Sequence, residues 1–80
     1  MWQIDDMKLH AVKLLDVVAL LEERPIDGLA SGQVGTVVEL HSPEAFEVEF
    51  LDLSGRTIAL VPLRRAEVLV LRHEFSTTAA

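Results

Sequence analysis

The residues of this sequence that could do chemistry are carboxylates on two neighbouring predicted strands. Glu39, Glu47 and Glu49 have the spacing that would crowd one face of those strands, and we call them the acidic face. Paired carboxylates can bind a hard cation or serve in acid–base catalysis. A solvated strand face explains the same spacing, and we favour it. Like charges on neighbouring strands cost some stability, which leaves room for a basic partner.

The other candidate nucleophiles and ligands lack the required spacing. His10, His41 and His73 show no repeated metal-ligand pattern, so we expect no metal and no cofactor. The serines lie beside Gly, Pro or Thr, outside any nucleophile-elbow pattern. The glycines Gly28 to Gly35 precede a Thr-Val-Val strand instead of the Lys-Ser/Thr and helix of a phosphate-binding loop. We therefore predict that the chain is not an enzyme and has no small-molecule substrate.

Composition limits the elements that can position these residues. Eighty residues make one domain, and zero cysteines exclude disulfides, so the 50% of hydrophobic residues must form the core. The net charge of −6 opposes binding to phosphate backbones and anionic lipids, so we expect no membrane and disfavour nucleic acid. No basic segment precedes an apolar run at the start of the sequence, which predicts a cytoplasmic protein.

Short β-rich runs bounded by turn residues predict five strands, at residues 14–21, 33–41, 46–50, 57–61 and 67–72. Tight turns are expected at 42–45 and 52–55, and one 3₁₀ turn at 63–66. Pro62 should end the fourth strand because it cannot donate a ladder hydrogen bond. In the third strand, Phe46, Val48 and Phe50 should point into the core, with Glu47 and Glu49 exposed to solvent.

The two ends of the chain differ from this pattern. Residues 1–13 form an N-terminal extension in which Ile4, Met7 and Ala11 recur at helical spacing, which suits a short helix or a docked arm. Residues 73–80 should be a flexible C-terminal tail. Between them, the order of strands and turns over residues 14–72 predicts an all-β fold, a small five-stranded SH3-like barrel. Phe75 is expected to join Phe46 and Phe50 as a large core residue.

Three motifs occur together in order. They are LLDVVALL at 14–21, Gly28-Leu29 with GQVGTVVE at 32–39, and FEVEF at 46–50. In these motifs the chain resembles the small bacterial proteins grouped as domain of unknown function 4926, over about residues 14–72. The resemblance implies an SH3-like fold and supplies no catalytic residues. Residues 32–39 alone also resemble the KOW motif of ribosomal and transcription-elongation proteins, and the β subunit of nitrile hydratase.

The first and fifth predicted strands are apolar on both faces. We assign Val18, Leu20, Val68 and Val70 to the core, since a small barrel has one interior. The outward residues should then merge into one surface, the apolar patch, because the first and last strands of such a barrel are neighbours; its members are Val17, Ala19, Leu21, Leu69 and Leu71. Patches of this kind mark interaction sites. A homodimer, another protein, or residues 1–13 docked through Ile4 and Met7 could cover it.

The function predicted from these features is a non-enzymatic protein–protein interaction module of the bacterial cytosol. It would be a subunit of a small complex or a neutralising partner of another small protein. The alternative is a KOW-like contact to RNA carried by Arg56, Arg64 and Arg65. The charge of −6 and the scarcity of aromatic side chains for base stacking weigh against that alternative.

Overall fold

The computed structural model describes residues 2–4 and 11–73, with side chains described from residue 11 to residue 71. The described residues contain no α-helix, so the prediction of an all-β fold is confirmed. The strands are Trp2–Ile4 (β1), Val17–Leu20 (β2), Val34–Ser42 (β3), Ala45–Leu51 (β4), Thr57–Arg64 (β5) and Val68–His73 (β6). Two 3₁₀ turns are formed by Pro25–Asp27 and Arg65–Glu67.

The strands form one antiparallel sheet in the order β1-β6-β2-β3-β4-β5. Over the described residues β1 and β5 end the sheet, so its strand order is open. At the N-terminus, where we predicted a short helix or a docked arm, residues 2–4 are not helical and instead pair as a strand with β6, in the register Ile4 to Leu71. Residues 11–13 are not helical either, and Ala11 is exposed. Met7, Phe75 and the tail beyond residue 73 lie outside the described residues.

The core lies on one side of the sheet, and β4 contributes its centre. Phe46, Val48 and Phe50 are fully buried, as predicted from their alternation with glutamates. The remaining buried residues are mostly valines, since β-branched side chains pack well on a pleated surface; they are Val12, Val18, Leu20, Leu29, Val37, Val61, Leu63, Val68 and Val70. The sequence patterns did not assign Val12 and Leu29 to the core.

The predicted end of the fourth strand at Pro62 is wrong, because β5 continues through Pro62 to Arg64. In the part of the chain that the structure describes, β5 pairs only with β4 and no strand lies on its other side. A proline whose missing N–H faces the open side of an edge strand costs no hydrogen bond. Leu63, which the sequence placed in a turn, is consequently a buried strand residue.

The first strand begins later than predicted, at Val17, and Leu14 and Leu15 are exposed. A turn precedes β2, in which the carboxylate of Asp16 accepts a hydrogen bond from the backbone N–H of Lys13 at 2.9 Å. Leu15 has φ of 71°, in the left-handed region that side chains rarely adopt.

Local polar contacts fix the connections between strands. In the turn after β4, the Asp52 carboxylate accepts hydrogen bonds from the Ser54 hydroxyl at 2.7 Å and the Arg56 backbone N–H at 3.0 Å. These hydrogen bonds lower the pKa of Asp52 below its ordinary value of 3.8, and the one from the Ser54 hydroxyl has the largest effect. Between β5 and β6, the Glu67 carboxylate accepts from the Arg64 backbone N–H at 2.9 Å. The first turn lies where it was predicted, at 52–55, whereas the 3₁₀ turn is formed by Arg65–Glu67 instead of the predicted residues 63–66.

Gly35 lies inside β3 with no room for a side chain. A Cβ atom placed on it would come within 2.6 Å of Val48 Cγ1 and 2.9 Å of the backbone oxygen of Glu49. This glycine therefore allows β3 to pack closely against β4. Gly28, in contrast, ends the first 3₁₀ turn in the left-handed conformation, at φ of 71°.

Candidate functional site

The outer face of the sheet brings the predicted apolar patch together. Val17 lies opposite Leu71 and Ala19 opposite Leu69 in the β2–β6 ladder, and all four are half-buried. Residues directly opposite each other in antiparallel strands have Cβ atoms about 5 Å apart, so these side chains are neighbours. The residues assigned inward, Val18, Leu20, Val68 and Val70, are buried as predicted. Leu21 is exposed just beyond β2, where its N–H donates to the backbone oxygen of Glu67 at 3.0 Å.

The start of β3 extends this surface with a residue that the sequence interpretation missed. Val34 is opposite Ala19 in the β2–β3 ladder, and 49% of its surface is exposed. Thr36 follows on the same side, opposite Val17. The outward orientation of Val34 could have been inferred from the sequence, because Val34 lies three residues before the core residue Val37 and side chains alternate between the two faces of a strand. Within the β2–β6 and β2–β3 ladders, the apolar surface therefore crosses three adjacent strands.

The acidic face lies on the same outer side, next to the apolar patch. Glu39 is directly opposite Glu47, and Glu49 is opposite Thr36. Thr36 therefore connects the two surfaces, because it pairs with Val17 on one side and with Glu49 on the other. The outer face is thus apolar over β6 and β2 and acidic over β3 and β4.

The prediction that Glu47 and Glu49 are solvent-exposed is wrong in degree, because both are half-buried. β4 lies between β3 and β5, so both glutamates have a neighbouring strand on each side. The Glu49 carboxylate accepts a hydrogen bond from the Thr57 hydroxyl. Glu47 Oε2 is buried and has no hydrogen-bond donor among the described residues. A carboxylate oxygen in that state would gain from a cationic partner.

The arginines of the predicted RNA contact do not all lie together, and Arg24 makes its ion pairs with residues outside the acidic face. Arg24 pairs with Asp27 at 2.8 Å and with Glu67 at 3.4 Å. Arg56 and Arg64, two of the three residues of the predicted RNA contact, lie at opposite ends of β5, and eight residues of strand span about 26 Å. Arg65 donates from Nη1 to the backbone oxygen of Val68 at 3.2 Å.

Other kinds of site have little support in the part of the chain that the structure describes. A pocket of about 220 Å³ is lined by Leu20, Leu21, Glu22, Glu23, Arg24, Ala66 and Glu67. Pockets for small organic ligands hold about 300–1,000 Å³. No three His, Cys, Asp or Glu side chains among the described residues could hold a metal ion together. Nor does any described helix have the length and apolarity to cross a membrane.

The structure therefore defines a small all-β protein with one antiparallel sheet, whose outer face is part apolar and part acidic. The chain belongs to the family described as Domain of unknown function (DUF4926), whose model matches residues 14–70. That match confirms the family indicated by the three sequence motifs. No curated protein and no solved structure matches the chain. The matched region covers β2 to β5, the first half of β6, and every residue of the acidic face and the apolar patch except Leu71.

Proposed function

We propose that this protein is a non-enzymatic protein–protein interaction module of the bacterial cytosol. The observation that carries the proposal is the apolar patch, in which Leu69 and Leu71 of β6 pair with Ala19 and Val17 of β2. Contiguous apolar surface on a small protein is costly in water and is typical of an interaction site. The role would be that of a subunit in a small complex, or of a neutralising partner of another small protein.

The acidic face favours a basic partner. Glu39 and Glu47 oppose each other directly, and like charges in that arrangement destabilise the isolated sheet. A partner that placed Lys or Arg over these carboxylates would relieve the repulsion while its apolar residues covered the patch. The absence of cysteine agrees with a reducing compartment such as the cytosol.

The order of the strands supports the finer proposal of an SH3-like barrel. β6 returns to pair with β2, so the first and last of the five strands from β2 to β6 are neighbours. β5 and β6 are joined by a single 3₁₀ turn, Arg65–Glu67, as expected for that fold. In such a barrel the apolar patch would lie on the outside, on the two strands that meet.

The test is a pair of matched variants. Leu69→Lys places a charge in the middle of the patch, whereas Leu53→Lys adds the same charge at the fully exposed hairpin tip. In pull-downs from the source cells, we expect one protein to be recovered in stoichiometric amount by the wild type and by Leu53→Lys, with or without nuclease. Leu69→Lys should lose it while keeping the circular-dichroism spectrum and melting temperature of the wild type.

Equal recovery by both variants would contradict the proposal. Recovery that nuclease abolishes would instead favour the KOW-like contact to RNA, whose support is the resemblance of residues 32–39. Arg64→Ala and Arg65→Ala would then lower the RNA recovered.

A further inference from the structure

The free edge of β5 is a second surface, apart from the apolar patch. Among the described residues β5 ends the sheet, and at eight residues it is long for a strand that is paired on one side only. Its outward side chains include Ile58 and Leu60, which are 46% and 59% exposed, and the exposed Pro62. An exposed apolar edge strand is a template for pairing with another strand.

Hydrogen bonds between β3 and the turn before β2 show, by alternation across the sheet, which backbone groups of β5 face this edge. The N–H of Val37 donates to Asp16 at 2.8 Å, and the oxygen of Val37 accepts from Leu15 at 2.7 Å. Both groups of Val37 therefore point away from β4, so its pair with Val48 is not hydrogen-bonded. It follows that the backbone groups of Val48 point toward β5, where its partner is Val61.

Alternation along the antiparallel ladder then fixes the orientation of Leu60. If Val61 bonds to Val48, the next pair, Leu60 with Glu49, is not hydrogen-bonded. The N–H and C=O of Leu60 consequently point to the open side of β5. Pro62 lies two residues after Leu60, so its backbone faces the same open side, and its lack of an N–H agrees with this assignment. An incoming strand would find a free donor and a free acceptor at Leu60.

We propose that two copies of this chain pair antiparallel through their β5 edges, about a two-fold axis at Leu60. The Leu60 N–H of each copy would donate to the Leu60 oxygen of the other. The ladder of β5 with β4 has a register shift between Phe50 and Leu51, which leaves Ile58 as an extra residue, so the regular part of the edge begins at Ala59. The backbone pairing would therefore be centred on Leu60, with the apolar side chain of Ile58 of one copy near Pro62 of the other. An isologous two-fold contact requires this symmetry.

Few charges oppose a second copy at this edge: in a register centred on Leu60, Arg56 of one copy would approach Arg64 of the other, and both are exposed to solvent and salt. The chain has thirteen acidic residues, yet none lies within Thr57–Arg64. The nearest carboxylate on the outer face is that of Glu49, opposite Leu60. In the dimer the two Glu49 positions would be three strand spacings, about 14 Å, apart. That exceeds the Debye length of about 8 Å at physiological salt, so their repulsion is largely screened.

The test combines solution mass with amide hydrogen exchange in the full chain over a concentration series. We expect the mass to rise from the 8.9 kDa of one chain toward twice that value. The Leu60 amide should become protected in parallel. The Val61 amide should be protected at every concentration, because it bonds to Val48 within each copy.

Two variants separate this edge from the apolar patch. Leu60→Lys would bring two ammonium groups together at the axis and should weaken the dimer about tenfold or more. Leu53→Lys, the matched control, should dimerise like the wild type. A wild-type chain that stays monomeric at millimolar concentration, with an unprotected Leu60 amide, overturns the proposal. So does a dimer that Leu69→Lys dissociates and Leu60→Lys does not, because its interface would be the apolar patch.

Discussion

Leu15 is held in the left-handed conformation because of its place in the sheet. Its N–H donates to the oxygen of Val37, and the N–H of Val37 donates to the next residue, Asp16. Two consecutive residues thus oppose one residue of β3, which is the pattern of a bulge whose first residue has positive φ. Glycine is the usual residue at that position, since it has no Cβ to clash with the backbone.

Replacing this leucine by glycine should therefore stabilise the protein. Leu15 is 70% exposed, so little packing is lost, and relief of the left-handed strain should raise the free energy of unfolding by about 1 kcal/mol. Urea denaturation followed by circular dichroism measures the change. Leu14→Gly is the matched control, because Leu14 is also exposed but has no positive φ, and it should give no gain. A loss of stability in Leu15→Gly would show that the side chain has a partner.

At Gly35, in contrast, the effect of a substitution on stability depends on the space available for a side chain. A valine there would place its Cβ against Val48 and the backbone of β4, and one of these must move. We expect Gly35→Val to lower the free energy of unfolding by about 3 kcal/mol, the upper range for overpacking. Thr36→Val, the adjacent outward position, should stay within about 0.5 kcal/mol of the wild type. Equal stability of the two variants would contradict the close packing seen at Gly35.

Among the strands, β4 has the largest share of the core. Phe46 and Phe50 are the only fully buried aromatic side chains among the described residues. Phe50→Ala should cost about 3–5 kcal/mol, against a total stability of about 5–15 kcal/mol for a domain. Thermal and urea unfolding measure this loss, and Leu53→Ala at the exposed hairpin tip is the control. An unchanged melting temperature for Phe50→Ala would mean that the register of β4 is wrong.

Elements that are specified by residues close together in the sequence could be predicted. The alternation in β4 specified which side of that strand is buried, and turn chemistry at Pro43 and Asp52 placed two hairpins. Strand parity also placed Glu47 and Glu49 on one side of the sheet, but Glu39 has the parity of the buried Val37 and joins them only because the register of β3 with β4 shifts between Val37 and Glu39.

Elements that depend on distant partners could not be predicted. Trp2–Ile4 is a strand because β6 offers it an edge. Leu29 is a core residue although it lies in a polar loop, where a bridge to Arg24 holds it. β5 continues through Pro62 only because no strand lies beyond it. The outward orientation of Val34 follows from its parity along β3, but its place beside Ala19 depends on the pairing of β3 with β2.

For the molecule as a whole, the distribution of charge separates the surfaces. The acidic face occupies β3 and β4, the apolar patch occupies β2 and β6, and β5 has an uncharged outward strip between Thr57 and Pro62. The first two adjoin each other and suit a partner that is both basic and apolar. The third is self-complementary. One small sheet could thus dimerise at its edge and still leave its outer face free for another protein.

The same distribution predicts that nucleic acid binds weakly or not at all. A net charge of −6 repels phosphates over the whole molecule, and the sequence contains no Tyr and one Trp for base stacking. Arg56 lies about 26 Å from Arg64 along β5, so the two side chains cannot contact adjacent phosphates. Fluorescence titration of labelled single-stranded RNA and of duplex DNA at physiological salt should show no saturation at micromolar protein.

The control is the double variant Glu47→Lys with Glu49→Lys, which lowers the net negative charge by four and should bind nucleic acid more tightly in a salt-dependent way. Micromolar affinity of the wild type that persists as salt is raised would mean that bases, not phosphates, are recognised, and would contradict this prediction.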